Sequence, residues 1–219
     1  VAAAGGQPVS ICDLPTSIDG GAWGADDNIV LAPTTGPLSE VSARGGDARV
    51  LLEPESGKET DFHKPWFLPG GKGLLFVVHR VEGSDTLTLL SGKKRKVLIQ
   101  IPGARIDNPS YSTTGHIVYS REGSNAGIYA VPFSLEKLAL AGEPFLVEAD
   151  GSLPSQSRDG MLVYVQGASH VLNQMVWVDR SGKVLVKAGQ EQREITNPVV
   201  SPDGRKVAVS ADENNNRDV

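Results

Sequence analysis

The chain has 219 residues, 39% of them hydrophobic and 21% charged, with a net charge of -5. That balance supports a sizeable core and argues against nucleic acid or an anionic membrane surface as partner. A single cysteine, Cys12, excludes an internal disulfide framework and a cysteine-based zinc site. The best apolar run, GLLFVV at 73–78, has the length of a strand and falls well short of the roughly 18 residues of a membrane span. Glycine (25) and proline (14) are abundant, as in a turn-rich all-β chain. VAAAGG at 1–6 is too short and uncharged for a signal sequence, so any export signal is expected outside this chain.

Taken in chain order, one pattern recurs: GAWGADDNIVLAP (21–33), PWFLPGGKGLLFVVH (65–79), PSYSTTGHIVYSR (109–121), PSQSRDGMLVYVQ (154–166) and PVVSPDGRKVAVS (198–210). Its turn position falls at Asp27, Gly71, Gly115, Gly160 and Gly204, at spacings of 44, 44, 45 and 44 residues. Each copy reads as a short strand, a turn that favours positive φ, and a second strand rich in β-branched and aromatic residues. A second hairpin follows: LSEVSARGGDARVLL (38–52), LTLLSGKKRKVLI (87–99), IYAVPFSLEKLALAGEPFLV (128–147) and VWVDRSGKVLVKA (176–188). SLEKLALAG at 134–142 is the one weak helical candidate and is read as a loop or single turn.

Two hairpins per repeat make four strands, and four-stranded units of about 40–50 residues are the signature of a β-propeller. The sequence therefore predicts an all-β propeller of antiparallel blades at approximately 17–60, 61–104, 105–150 and 151–195. A further blade is split between 196–219 and 1–16, because VAAAGGQPVSICDLP (1–15) matches VSARGGDARVLLEP (41–54). The ring is five-bladed if the terminal halves pair; otherwise the chain is part of a larger propeller.

SPDGRKVAVS, PWFLPGGKGLLFV, GAWGADDNIVLAP, VAAAGGQPVSICDLP and VWVDRSGKVL resemble TolB-type propeller repeats. More narrowly, their order is similar to that of propeller regions attached to bacterial serine/threonine protein kinases. The resemblance spans essentially the whole chain. It implies a scaffold that binds protein or peptide, placed outside the cytoplasm when a membrane span separates it from the kinase. Asp27 departs from the turn glycine, and SPDG is intact only at Ser201, Pro202, Asp203 and Gly204.

No catalytic set is recognisable. There is no G-x-S-x-G elbow and there are no kinase motifs. Cys12, in the apolar stretch VSICD, reads as a buried structural thiol in a strand. His63, His79, His116 and His170 are far apart in sequence and show no metal-ligand spacing, so no metal and no cofactor is expected. His116 is expected to face solvent or a neighbouring blade. GADDN (24–28) and SADENNNRD (210–218) gather oxygens without a calcium-loop spacing and read as turn and hairpin chemistry. GKKRK (92–96) reads as a hairpin turn whose lysines discourage sheet-to-sheet association. Trp23, Trp66 and Trp177, with Tyr111 at the place of Trp23, are expected to pack between blades.

The function expected is a non-catalytic protein- or peptide-binding module of a larger bacterial signalling protein, periplasmic or extracellular. The partners expected exclude nucleic acid and membrane insertion. Self-assembly through open blade edges, into a homo-oligomer, is the structural alternative; the propeller part of a hydrolase is the enzymatic one.

Overall fold

The computed structural model describes residues 10–14, 16–123, 125–149, 151–157, 161–166, 172–179, 181, 183–201, 206–213 and 216–218. Apart from one 3-10 turn at Pro69–Gly71, its described elements are strands. None of the described helices is long and apolar enough to cross a membrane. The chain divides into two compact units, Val1–Gln166 and Gly167–Val219.

In the first unit, β1 (Ile18–Trp23), β2 (Asn28–Pro33), β3 (Leu38–Ser42) and β4 (Arg49–Leu52) form a four-stranded antiparallel meander. A second follows from β5 (Glu59–Phe67), β6 (Leu74–Arg80), β7 (Asp85–Ser91) and β8 (Lys94–Ile101). The third comprises β9 (Ala104–Ser112), β10 (His116–Gly123), β11 (Gly127–Ser134), a short β12 (Ala139–Leu140) and β13 (Phe145–Ala149). SLEKLALAG becomes a turn followed by β12. The expected turn geometry holds at Asp27, Gly71 and Gly115, with φ of 60°, 65° and 82°. Gly160 and Gly204 lie outside the described residues.

Alternation along each second strand explains why the chain must stack its sheets. Leu74, Phe76 and Val78 of β6 pack against Val30, Ala32 and Leu38 of the first sheet. Leu75 and Val77 point the other way, against Ile106, Ile117 and Tyr119 of the third. Successive side chains of a strand face opposite sides, so a sheet with apolar neighbours on both sides reads as one unbroken apolar run. GLLFVV is that run. Val118 and Ile128 pass the stacking on to Leu162 and Tyr164.

β14 (Gly151–Gln156) and β15 (Leu162–Gln166) form a two-stranded sheet. In the second unit, β16 (Leu172–Val178), β17 (Val184–Val200), β18 (Val207–Glu213) and β19 (Asn216–Asp218) form a four-stranded sheet of their own. The expected hairpins at 176–188 and 198–210 are both present, as β16–β17 and β17–β18. They share β17, which runs through the blade boundary expected at residue 195. No glycine or proline interrupts 190–197, so nothing stops the extended backbone there. Residues 1–9 lie outside the described residues, and with them the expected pairing of 1–16 with 196–219.

Two local expectations change. Cys12 is half-buried and lies outside any strand; with Ile11 and Leu14 it packs on Ile29, Leu31 and Val41. Trp23 and Trp66 are 62% and 41% exposed and do not anchor the core. Trp23 sits at the lip of the turn, where its indole N–H donates to Asp27 Oδ1 at 3.3 Å. Trp66 follows a register shift between His63 and Trp66, which turns the next side chain off the buried face. Among the described residues Phe62, Phe76, Tyr119 and Phe133 are the buried aromatics instead, and Tyr111 packs edge-on to Phe133 at 6.1 Å.

Candidate functional site

The first strands of three sheets, β5, β9 and β14, carry a bulge at one repeat position. Lys64, Asn108 and Leu153 each precede a proline and adopt φ of 49°, 48° and 52°. Register shifts mark the same places in β5, in the β9–β10 pairing and in the β14–β15 pairing. Positive φ is strained for a residue with a side chain, and its recurrence at 44- and 45-residue spacing marks a built feature. In β1 the equivalent residue is Gly20. A Cβ there would stand 3.3 Å from the Lys64 Cα, so glycine permits the close approach of β1 to β5.

Just before Gly20, Lys64 and Asn108 stand Asp19, His63 and Asp107, again 44 residues apart. Stacking brings them to one cavity of about 190 Å³, lined also by Lys64, His79, Asp85, Arg105 and Glu122. His63 Nδ1 lies 2.8 Å from Asp19 Oδ2, and His63 Nε2 lies 3.0 Å from Asp61 Oδ1. The same Asp61 oxygen is 3.0 Å from His79 Nδ1, and His79 Nε2 is 3.6 Å from Asp85 Oδ2. The two imidazole rings are 4.1 Å apart, tilted by 38°. Lys64 Nζ donates to the Asp19 carbonyl and pairs with Asp19 Oδ2, each at 3.1 Å. Asp85 Oδ2 accepts the Ile106 N–H at 3.0 Å, which ties the second sheet to the third.

The electrostatics differ from one carboxyl to the next. Burial pushes Asp19 up, but hydrogen bonds from His63 and Lys64 outweigh it and hold the carboxyl below its ordinary range. Burial raises Asp85 and Asp107 above theirs, against the pull of the Ile106 N–H and His79 on the first and of Lys64 on the second. Asp61, His63 and His79 each offer one ligand atom, all within 4.8 Å of one another, and are the described residues able to hold a metal ion.

A neighbouring cleft of about 300 Å³ lies along the same inner strands, walled by Lys64, Trp66, Asn108, Ser110 and Gln156. Gln156 donates to the Ser110 hydroxyl at 2.7 Å, so that serine is tied to an amide and not to a base.

His63 and His79 come together, although 16 residues separate them. His116 is apart from them, bound to Thr114 Oγ1 at 3.1 Å and edge-on to Phe145. His170 lies outside the described residues. GADDN is a turn in which Asp26 accepts both the backbone and side-chain N–H groups of Asn28, at 3.3 and 2.9 Å. Arg95 of GKKRK makes a two-pronged pair with Glu59 and lies 5.4 Å from the Phe62 ring centroid. Asp19, Asp61, Lys64, Asp85 and Asp107 belong to no motif legible in the sequence. Two signals could have found them: the X-Pro pairs at 64–65, 108–109 and 153–154, which mark the bulge, and outward counting from the Gly70–Gly71 turn, which sets Asp61 opposite His79 once the one-residue slip of that bulge is included.

No protein-family model and no curated relative matches the sequence. Solved structures of β-propeller type do. TolB from Acinetobacter baumannii matches with a TM-score of 0.55 and 17% identity, over 92% of this chain and 50% of that protein. A protein provisionally named TolB from Agrobacterium tumefaciens matches with a TM-score of 0.55 and 16% identity, over 90% of this chain and 71% of the other. A Lactobacillus plantarum protein gives a TM-score of 0.50 and 12% identity, over 89% and 64%. At these identities the likeness is one of fold. The chain has the β-propeller class of architecture, a fold it shares with TolB; it spans half the length of the Acinetobacter protein.

Proposed function

We propose that this chain is a non-catalytic binding module that recognises a protein or peptide segment. We further propose that it belongs to the extracytoplasmic part of a larger bacterial signalling protein, of the receptor serine/threonine kinase type. One observation carries the reading: the inner strands of successive sheets wall a preformed cleft with groups suited to gripping a chain. Trp66 offers an exposed aromatic face, Lys64 a charge, and Asn108 and Gln156 paired donors and acceptors. Exposed Trp beside a concave polar surface is the composition of interface hot spots. The sequence resemblance to kinase-attached propellers supports the signalling context, and the fold likeness to TolB supports the scaffold role.

The test is a phage-displayed peptide selection on the immobilised chain, followed by calorimetric titration of the enriched peptides. Trp66→Ala is expected to weaken binding by about 30-fold, as removal of a hot-spot aromatic does. Failure to enrich any peptide, or binding indifferent to both Trp66→Ala and Lys64→Ala, would remove the cleft as the recognition site. Protease accessibility of the chain in intact, outer-membrane-permeabilised cells tests the compartment.

A further inference from the structure

The Asp–His network poses a donor–acceptor problem that partner recognition does not address. Four ring nitrogens, two on His63 and two on His79, all face carboxylates. A neutral imidazole carries one N–H and so satisfies one carboxylate, leaving a lone pair aimed at the other. The two inner nitrogens, His63 Nε2 and His79 Nδ1, converge at 3.0 Å on a single oxygen, Asp61 Oδ1. With neutral rings donating outward, to Asp19 and Asp85, three acceptors confront one another at the centre. With both rings fully protonated, two imidazolium cations stand 4.1 Å apart beside Lys64 and Arg105. A cation among the three inner atoms resolves the conflict: His63 donates to Asp19, His79 turns its outer N–H toward Asp85 at 3.6 Å, and both rings give their inner lone pairs to the ion.

We propose that Asp61, His63 and His79 are the ligands of a mononuclear site for a divalent transition-metal ion of the zinc type, with Asp19 and Asp85 orienting the two imidazoles. Two imidazole nitrogens and a carboxylate oxygen are a donor set that suits such an ion. Zn–N and Zn–O bonds of about 2.0–2.1 Å imply tetrahedral edges of about 3.3 Å, close to the two 3.0 Å separations present. The outer carboxylates supply the second independent feature. A metal-bound histidine commonly donates its other N–H to a carboxylate, which sets the tautomer and the ring plane. Asp19 stands behind His63 at 2.8 Å and Asp85 behind His79 at 3.6 Å. Asp85 is itself fixed by the Ile106 N–H, and Asp19 by Lys64. Three protein ligands leave a fourth position, open to the cavity lined by Arg105, Asp107 and Glu122.

The experiment is calorimetric titration of the chelator-treated 219-residue chain with zinc chloride, with cobalt(II) as the spectroscopic probe. One equivalent of zinc is expected, and cobalt should show the strong visible bands of a four-coordinate ion without a thiolate charge-transfer band. The latter separates this site from Cys12. His79→Ala and His63→Ala should each abolish stoichiometric binding, Asp19→Asn should weaken it about 10–100-fold, and His116→Ala should leave it unchanged. Absence of stoichiometric zinc binding by the unaltered chain overturns the proposal. So does binding that survives in the His63→Ala/His79→Ala double variant. If the histidine variants do not fold, Asp19→Asn and the cobalt spectrum of the unaltered chain decide: undiminished affinity together with six-coordinate bands overturns it.

Discussion

Asp107 is half-buried in β9, where its carboxylate accepts the Asn108 side-chain N–H at 2.7 Å and lines the cavity with Asp19 and His63. Burial raises its pKa above the ordinary value of about 3.9. The folded state therefore binds a proton more readily than the unfolded state. As pH rises from about 3.9 through the raised folded value, this group's contribution turns unfavourable and stays so at neutrality. Asp107→Asn should accordingly stabilise the protein at pH 7, with the gain gone below about pH 4. Urea unfolding at both pH values measures it; a variant less stable at pH 7 than at pH 4, relative to the parent, would sink the argument. Asp19 has the opposite sign. Its lowered pKa contributes stability above the unfolded value that is lost as pH falls through the folded one. One cavity thus holds a carboxylate that favours folding beside two that oppose it.

At the scale of the strand, the bulge before each proline decides where the site residues point. Its extra residue offsets the alternation, so that His63, Lys64 and Trp66 are presented along the inner strand while Pro65 is buried. Asn108 occupies the strained position in β9, and asparagine tolerates the left-handed region better than most residues. Leu153 occupies it in β14 with φ 52° and a side chain 57% exposed, so little apolar burial offsets the strain. Leu153→Asn should raise stability by about 1 kcal/mol, read as a higher urea midpoint at unchanged slope. A lower midpoint would mean that the leucine makes contacts worth more than its backbone strain.

For the molecule, stability in the first unit rests on sheets that share their cores. Phe76 is fully buried, packs edge-on to Phe62 at 5.4 Å, and joins the first sheet to the second. Phe76→Ala should cost about 3–5 kcal/mol, because it opens a cavity between two sheets and not within one. Chemical denaturation of the pair measures it, and a loss under 1 kcal/mol would show that the sheets do not depend on that contact. Fold and sites separate at this scale. Stacking alone brings β1, β5, β9 and β14 side by side, and so it alone assembles residues from successive repeats into one cavity.

What the sequence determined by itself is periodic and local. The 44-residue spacing, the turns at Asp27, Gly71 and Gly115, the paired hairpins and the double-sided apolar run of β6 follow from φ preference and side-chain alternation, which act between near neighbours. His63 and His79 stand 16 positions apart, so no ligand spacing joins them along the chain. Antiparallel pairing across the Gly70–Gly71 turn sets Asp61 against His79, and Asp19 arrives from the preceding repeat. The exposure of Trp23 and Trp66 and the course of β17 through residue 195 were also decided in three dimensions. Composition states which residues are apolar or charged. Only the bulge, the register and the neighbouring sheet decide which of them face each other.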